Sequence, residues 1–502
     1  MTGRSVSDPA PQAALTTRRG SAVVRSGLLS MVGLVALGGA RLVHGSLVSH
    51  ATDHETYARV GTLIGLAMTV SLIFPAGLAS AASRYISFHI GAGDRATASA
   101  AYRVLTLAGG ACALLLAALV GALATLLPGV SSADVAAVAL LTAVYAGYSV
   151  AKGALYGFDR LVAYTWLEVT GSLVTVGATA IVVTSGAHAY LVPFIIGNAV
   201  LMLGSPVILR ASRERVAVAG SEAPRARPPA RLDIRELAVW VGLASLGGGA
   251  SGGLLQILPV LAGRFTTQVQ VAYFVAAVTL VAPLLFLPRA LSLALFPAMA
   301  RAHGAGDVDV VRRHADISTR ALLALLAPIF AAGIFLAPEV LLLFGGGQYI
   351  DGAPVLRLLL LATFTGAVQV AAVNSLSSGD AVRIPVYASV AGAVVGLLVL
   401  VPLGHWFASM GVGAAYLLAV AITATVPIAA TWRRYRMAWT GPVTRSFAVV
   451  VVALVVAELL GTSRSGADRI GLDALCAAAT LVASWLILRR DIAAVLAARH
   501  RA

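Results

Sequence analysis

The sequence predicts an all-α integral membrane protein with about fourteen transmembrane helices, arranged as two parallel six-helix repeats followed by two additional C-terminal helices. Three observations lead there: an apolar composition, a succession of long apolar runs joined by short polar links, and a pattern in the first half that returns in the second. Of 502 residues, 59% are hydrophobic and 11% charged, and the mean hydropathy is +0.90. Soluble domains carry about 25% charged residues, so so little charge cannot clothe a water-facing globule. A bilayer tolerates such a chain, and each helical crossing needs roughly 20 apolar residues. Closed barrels are the other spanning solution, but they alternate apolar and polar positions over about ten residues. Here the runs are long and continuous, so helices are expected.

Taken in order, the apolar runs lie at 22–48, 57–82, 104–127, 134–151, 161–184, 188–209, 236–262, 269–299, 318–337, 353–376, 384–403, 410–431, 445–461 and 470–488. Short links such as Pro128–Ala133 and Ser185–His188 join them. The longest break, 210–235, is rich in Arg and Pro and reads as a linker between two halves. The resulting plan is a cytoplasmic tail (1–21), a six-helix lobe (22–209), a cytoplasmic linker (210–235), a second six-helix lobe (236–431), two additional helices (432–488) and a second tail (489–502). Arg18-Arg19 before the first run resembles a twin-arginine signal, but the run continues to Val48 and more spans follow, so it reads as a first membrane helix. With the N-terminus inside and the sides alternating, 29 of the 36 Lys and Arg fall in inside segments. The exceptions are Arg41, Arg59, Arg264, Arg289, Arg357, Arg464 and Arg469. This bias sets the orientation and predicts that both termini are cytoplasmic.

The two halves resemble each other. Val32-Gly33-Leu34-Val35-Ala36-Leu37-Gly38-Gly39 returns as Val241-Gly242-Leu243-Ala244-Ser245-Leu246-Gly247-Gly248. Gly91-Ala92-Gly93-Asp94 returns as Gly304-Ala305-Gly306-Asp307, a register that also pairs Pro75 with Pro288. Leu155, Asp159, Val169 and Gly171 match Leu376, Asp380, Val390 and Gly392. An even number of helices per unit keeps both copies in the same orientation, and parallel repeats about an axis along the membrane normal are a transporter architecture with the substrate path between the lobes.

The same residues exclude other classes. A net charge of +15 would suit a nucleic-acid partner, but the charges sit in links between spans, so no nucleic acid is expected. Cys112 and Cys476 lie singly in apolar runs, without metal-ligand spacing, so neither a metal nor a cofactor is expected. Lys152, the only lysine, precedes Gly153 rather than closing a phosphate loop, which rules out an ATP-driven pump within this polypeptide. A polytopic membrane glycosyltransferase is the enzyme alternative. The acidic pair Asp53 and Glu55 is present, but the loop from Ser49 to Thr56 is too short to hold a sugar-nucleotide site. The expectation is therefore a non-enzyme.

Six plus six helices with two more at the end resemble the polysaccharide-transporter branch, the O-antigen flippases, of the multidrug/oligosaccharidyl-lipid/polysaccharide exporter superfamily. Three segments carry the resemblance: Tyr57-Ala58-Arg59-Val60-Gly61-Thr62-Leu63, Gly77-Leu78-Ala79-Ser80-Ala81-Ala82-Ser83-Arg84-Tyr85, and Leu343-Phe344-Gly345-Gly346-Gly347-Gln348-Tyr349 followed by Ala353-Pro354-Val355-Leu356. It extends over about residues 22–490. The resemblance implies a flippase that moves polyprenyl-diphosphate-linked oligosaccharide across the bacterial cytoplasmic membrane. It also implies membrane lipids, a polysaccharide polymerase and glycosyltransferases as partners. Lipid II flippases and multidrug exporters of the same superfamily are the alternatives. The arginine-rich first helix of the lipid II flippases is missing, since only Arg41 lies deep in that run, and multidrug exporters usually stop at twelve helices.

A lipid diphosphate is anionic and must meet a cation inside a low-dielectric core. The planar fork of Arg suits its oxygens. Arg41, Arg289 and Arg357 lie within apolar runs and are the candidate substrate-binding residues. The competing reading for each is a guanidinium that snorkels to the headgroups or pairs with a neighbour. Arg41 corresponds to Ala250 in the second repeat and Arg289 to Ala76 in the first, so the scaffold itself does not require these charges. Glu168, eight residues into the fifth run, is the candidate for ion coupling, with an inter-helix salt bridge as the alternative. His44 reads as a hydrogen-bonded packing residue. Gly247–Gly253, Pro283 and Pro288 are places where helices can bend.

Overall fold

The computed structural model describes residues 10–91, 94–219, 233–379, 381–461 and 467–499. Among them every regular element is helical, and twelve helices are long and apolar enough to cross a membrane. The expected fold class is met. The helices of the first half are α1 (Ala10–Ala51), α2 (His54–Gly91), α3 (Arg95–Ala124), α4 (Ser132–Gly157), α5 (Leu161–Thr184) and α6 (Val192–Ala219). Those that follow are α7 (Ile234–Gly248), α8 (Leu254–Ala262), α9 (Gln268–Val281), α10 (Phe286–Gly304), α11 (Val308–Phe335), α12 (Ala337–Gly345), α13 (Ala353–Val368), α14 (Val370–Ser377), α15 (Arg383–Tyr435), α16 (Thr440–Gly461) and α17 (Ala467–Arg499).

Two features separate the twelve from the fourteen apolar runs. The run 236–262 is divided into α7 and α8 by a π-helical turn over Gly249–Gly253, within the glycine stretch where bending was expected. The 53-residue α15 would be about 80 Å long at about 1.5 Å per residue, far beyond the roughly 30 Å hydrocarbon core. It folds back at Ala408 (φ 48°, ψ −126°) into a hairpin whose arms correspond to the runs 384–403 and 410–431. Gly392 and Gly396 let the arms close on Ala419. Pro283 sits in the 3-10 turn Ala282–Leu285 that separates α9 from α10.

Most helices outrun their apolar segments. The first begins at Ala10, inside the stretch read as a tail, and α6 continues to Ala219, inside the stretch read as a linker. A helix elongates at the cost of one residue's freedom per hydrogen bond, so it can continue past the apolar run into polar sequence. Much of the basic linker, including Arg225, Arg227 and Arg231, lies outside the described residues.

The packing order repeats between the halves. In the first, α1 packs on α5, α2 on α3 and α4, α3 on α4, and α4 on α6. In the second, α8 packs on α15, α10 on α11, α9 on α13, α11 on α13, and α13 on α15. The duplicated Gly-Ala-Gly-Asp segments end alike. Asp94 (φ −90°, ψ 78°) caps α3 by accepting the Thr97 amide at 2.9 Å, and Asp307 (φ −85°, ψ 81°) caps α11 by accepting that of Val310 at 3.0 Å. Each carboxylate satisfies an otherwise orphaned N–H of the first turn. The last two helices, α16 and α17, pack on α11, outside this pattern. Between the halves, α2 lies against α7, α8 and α9, while α1 meets α9, α10 and α12.

Candidate functional site

Where the halves face each other they enclose a cavity of about 590 Å³, walled by α1, α2, α4, α13, the π turn with α8, α9 and both arms of α15. Most of its wall is small or apolar, and its polar groups are few. On α4, Tyr145, Tyr148, Lys152 and Tyr156 follow a three-to-four-residue spacing, so they share one face and all line the cavity. Arg41 reaches in from α1, Gln256 from α8 and Gln369 from just beyond α13. Among the described residues no Asp or Glu lines it.

Arg41 is half-buried, and its Nη2 donates to Gln256 Oε1 at 3.3 Å, a contact between the two halves. Its repeat counterpart, Ala250, lines the same cavity. Lys152 Nζ lies 3.4 Å from the Tyr148 hydroxyl and 5.0 Å from the centre of the Tyr164 ring. The Tyr148 hydroxyl donates in turn to Glu168, 3.0 Å from each carboxylate oxygen. Glu168 is 4% exposed. It lies behind the cavity wall in a small void of about 10 Å³, shared with Gly171, Ser172, Asn198 and again Tyr148. Its neighbours are thus the tyrosines Tyr148 and Tyr164 rather than an inter-helix arginine.

The other expected residues lie elsewhere. Arg357 does not line the cavity. Its Nε donates to the Ile334 carbonyl at 3.0 Å and its Nη1 contacts Glu458 Oε1 at 3.2 Å, so it ties α13 to α11 and α16. Arg289 lies on α10, but its side chain is outside the described residues. His44 Nδ1 shares a 2.9 Å hydrogen bond with Thr179 Oγ1, and its ring meets Phe194 edge-on.

One end of the cavity is shut. Ser49 Oγ donates to the Phe344 carbonyl at 3.0 Å, Gln348 Nε2 to the Ser49 carbonyl at 3.1 Å, and His54 Nε2 contacts the Gln348 carbonyl at 2.9 Å. Tyr57, Tyr273, Tyr349 and His54 cluster around this seam, edge to face except for the tilted His54–Tyr349 pair. Gly61 lies so close to Val275 of α9 that a Cβ there would overlap the valine. From Arg41 the cavity runs the other way, toward Ser83 and Tyr156.

Sequence reasoning missed Lys152, the α4 tyrosines and Gln256 as site residues. The signal was present: the only lysine of the chain shares a helical face with three tyrosines at the end of an apolar run.

The sequence model of the MatE family matches residues 254–401, a minority of the chain. No curated protein sequence matches. Several solved structures share the fold. An inward-facing multidrug resistance MATE family transporter of the MOP superfamily superposes with a TM-score of 0.61 at 17% identity, covering 80% of this chain and 94% of that one. The lipid II flippase MurJ in an inward closed conformation gives 0.60 at 12% identity, covering 93% and 99%. A MOP superfamily transporter from Pyrococcus furiosus, described by the reverse polarity of its binding pocket, gives 0.58 at 17%, covering 83% and 95%. At these identities the likeness establishes the fold: a multi-pass helical membrane protein built as these transporters are.

Proposed function

We propose that the chain is a flippase that moves a polyprenyl-diphosphate-linked oligosaccharide across the bacterial cytoplasmic membrane for cell-surface polysaccharide assembly, by alternating access of the cavity between its halves. In this reading both termini are cytoplasmic, and a polysaccharide polymerase and glycosyltransferases are the neighbouring partners. One observation carries the proposal: two cations, Arg41 and Lys152, and no carboxylate are among the described residues that line the cavity. Such a surface attracts an anionic headgroup and repels cationic compounds, which weighs against export of cationic drugs. Charges within a span are costly and characteristically face a cavity or pathway. Arg41 supplies a planar donor fork for diphosphate oxygens, and the neutral walls and tyrosine faces suit sugars. The volume lies in the range of small-molecule sites. It accommodates a diphosphate with its first sugars and leaves the polyprenyl tail in the lipid. A lipid II-type substrate carries the same diphosphate, and the structural likeness to MurJ favours it as the second reading.

The test is deletion of the gene followed by complementation. Loss of the protein should cause lipid-linked oligosaccharide to accumulate. Arg41→Ala should fail to relieve that accumulation although the protein reaches the membrane folded. A charge-assisted hydrogen bond contributes about 1.5–3 kcal/mol, so substrate affinity should fall by roughly 10–100-fold. Arg41→Lys keeps the charge without the fork and should transport partially. Accumulation of lipid II instead would support the second reading. Normal transport by Arg41→Ala would overturn the role of Arg41.

A further inference from the structure

We infer that Lys152, Tyr148 and Glu168 form a single proton-linked anion site, at which an anionic headgroup bound by Lys152 and a proton bound by Glu168 enter together. The inference rests on the reading of the cavity as a diphosphate site and adds to it the sign of its coupling to protons.

The geometry places one end of the relay in the cavity and the other behind its wall. Lys152 and Tyr148 line the large cavity, Glu168 lines the small void behind it, and Tyr148 borders both. The Tyr148 hydroxyl meets both Glu168 oxygens at 3.0 Å and lies 3.4 Å from Lys152 Nζ. The ammonium and the buried carboxylate are therefore joined through one hydroxyl. Glu168 is faced from α4 by Tyr148, with Lys152 beyond it. Its own helix brings the Tyr164 side chain against it from one turn earlier. On α1, Arg41 lines the large cavity and His44 is bonded to Thr179 of α5. The α6 residues that line the small void with it, Phe194, Gly197, Asn198 and Leu201, are neutral.

Charge balance then sets the order of events. With the cavity unliganded, the Lys152 ammonium compensates the Glu168 carboxylate. A headgroup that takes the ammonium's charge withdraws that compensation, and an isolated buried carboxylate is costly. A hydronium ion from solution then gives one proton to a Glu168 oxygen: one hydronium O–H bond breaks, the Glu168 O–H bond forms and water is left. Tyr148 continues to donate to the other oxygen. Linkage is reciprocal: protonation of Glu168 frees Lys152 for the anion to the same extent that the anion favours protonation. The headgroup and the proton therefore enter together rather than exchange for one another, and the bound proton cancels one of the charges that the cavity must carry.

The experiment uses the full-length protein in lipid nanodiscs. The ligand is farnesyl diphosphate esterified with glucose, a diester whose phosphates keep one charge each near neutral pH and so take up no proton themselves. Calorimetric titrations in buffers of different ionisation enthalpy report the protons bound per ligand. Wild type should take up protons on binding and gain affinity as pH falls from about 8 to about 6, by at most about tenfold per unit for one proton. Glu168→Gln should bind with the low-pH affinity throughout and take up none. Lys152→Gln should bind weakly at every pH. Binding by wild type without proton uptake, or uptake that persists in Glu168→Gln, would overturn the coupling alone. Absence of binding at every pH would overturn the diphosphate reading and the coupling with it.

Discussion

Glu458→Ala should destabilise the protein more than Arg357→Met, although the two substitutions break the same ion pair. The Arg357 side chain is 4% exposed and that of Glu458 is 43% exposed. Removing the carboxylate leaves a guanidinium deep between α11, α13 and α16, with the Ile334 carbonyl as its remaining recorded partner. Breaking a buried pair from one side costs about 3–5 kcal/mol, and the surviving carbonyl contact places this case near the lower bound. Removing the guanidinium instead leaves a half-exposed carboxylate three residues from the end of α16, within reach of the headgroup region by snorkelling, so the loss is mainly packing, about 1–2 kcal/mol. The double variant Arg357→Met/Glu458→Gln should return to within about 1 kcal/mol of wild type, because neither charge then needs the other. Thermal unfolding of the detergent-purified protein ranks the four forms, and disulfide trapping between cysteines placed on α13 and α16 reports whether α16 stays docked. Equal losses from the two single variants would refute the argument from unequal burial. A stable, docked Arg357→Met that no longer transports would place Arg357 in the substrate path after all.

Three further outcomes can be checked directly. A cysteine at Ala226, in the basic stretch between the halves, should resist impermeant thiol reagents in intact cells, and labelling there would reverse the proposed orientation. Gly61→Leu forces α2 away from Val275 at the closed end; a cysteine at the cavity-lining Thr279 should then react with reagent added on that side, and unchanged reactivity would mean that the seam does not depend on this contact. Asp53 caps α2 by accepting the Thr56 amide at 2.9 Å, and hydrogen bonds from the Thr56 side chain and backbone hold its carboxyl below the ordinary value. A depressed carboxylate stabilises above its unfolded pKa and loses that contribution as pH falls through the folded one. Asp53→Ala should therefore unfold slightly earlier than wild type at neutral pH, by less than about 1 kcal/mol because the group faces solvent. The two should converge in acid, whereas a gap that persists there would assign the effect to something other than the cap.

The fold was legible because a bilayer leaves a chain few options. With no water to satisfy backbone groups, continuous apolar runs must be helices, and the duplicated Gly-Ala-Gly-Asp segments stop and restart them at equivalent capping aspartates. Helix ends were not legible, because hydrogen bonding carries helices through polar residues that a hydropathy reading assigns to tails and links. The fold-back of α15 was visible as a gap between two runs, but its sharpness was not. Only Ala408 departs from helical geometry, and the room for so tight a reversal comes from Gly411 lying against the Leu403 carbonyl of the opposite arm, a contact with no periodic signature.

The cavity chemistry was legible in part, for a reason that applies to each charge in turn. Arg41 stands alone deep in an apolar run, and the structure places it on the cavity wall. In one dimension Arg357 looks the same. What distinguishes it is Glu458, 101 residues away, which occupies the guanidinium that a substrate would otherwise need. Lys152 fails in the opposite direction: at the edge of its run it reads as one more positive charge on the inner side, and only the helical register of Tyr145, Tyr148 and Tyr156 turns it toward the cavity. Depth within a run therefore measures what a charge costs in lipid, not whether that cost has already been met by a neighbour. The second quantity is set by packing. It follows that the charges to examine first are those whose partner still touches the cavity, as Gln256 does for Arg41 and Tyr148 does for Lys152, because a ligand can replace such a partner without unpacking the fold.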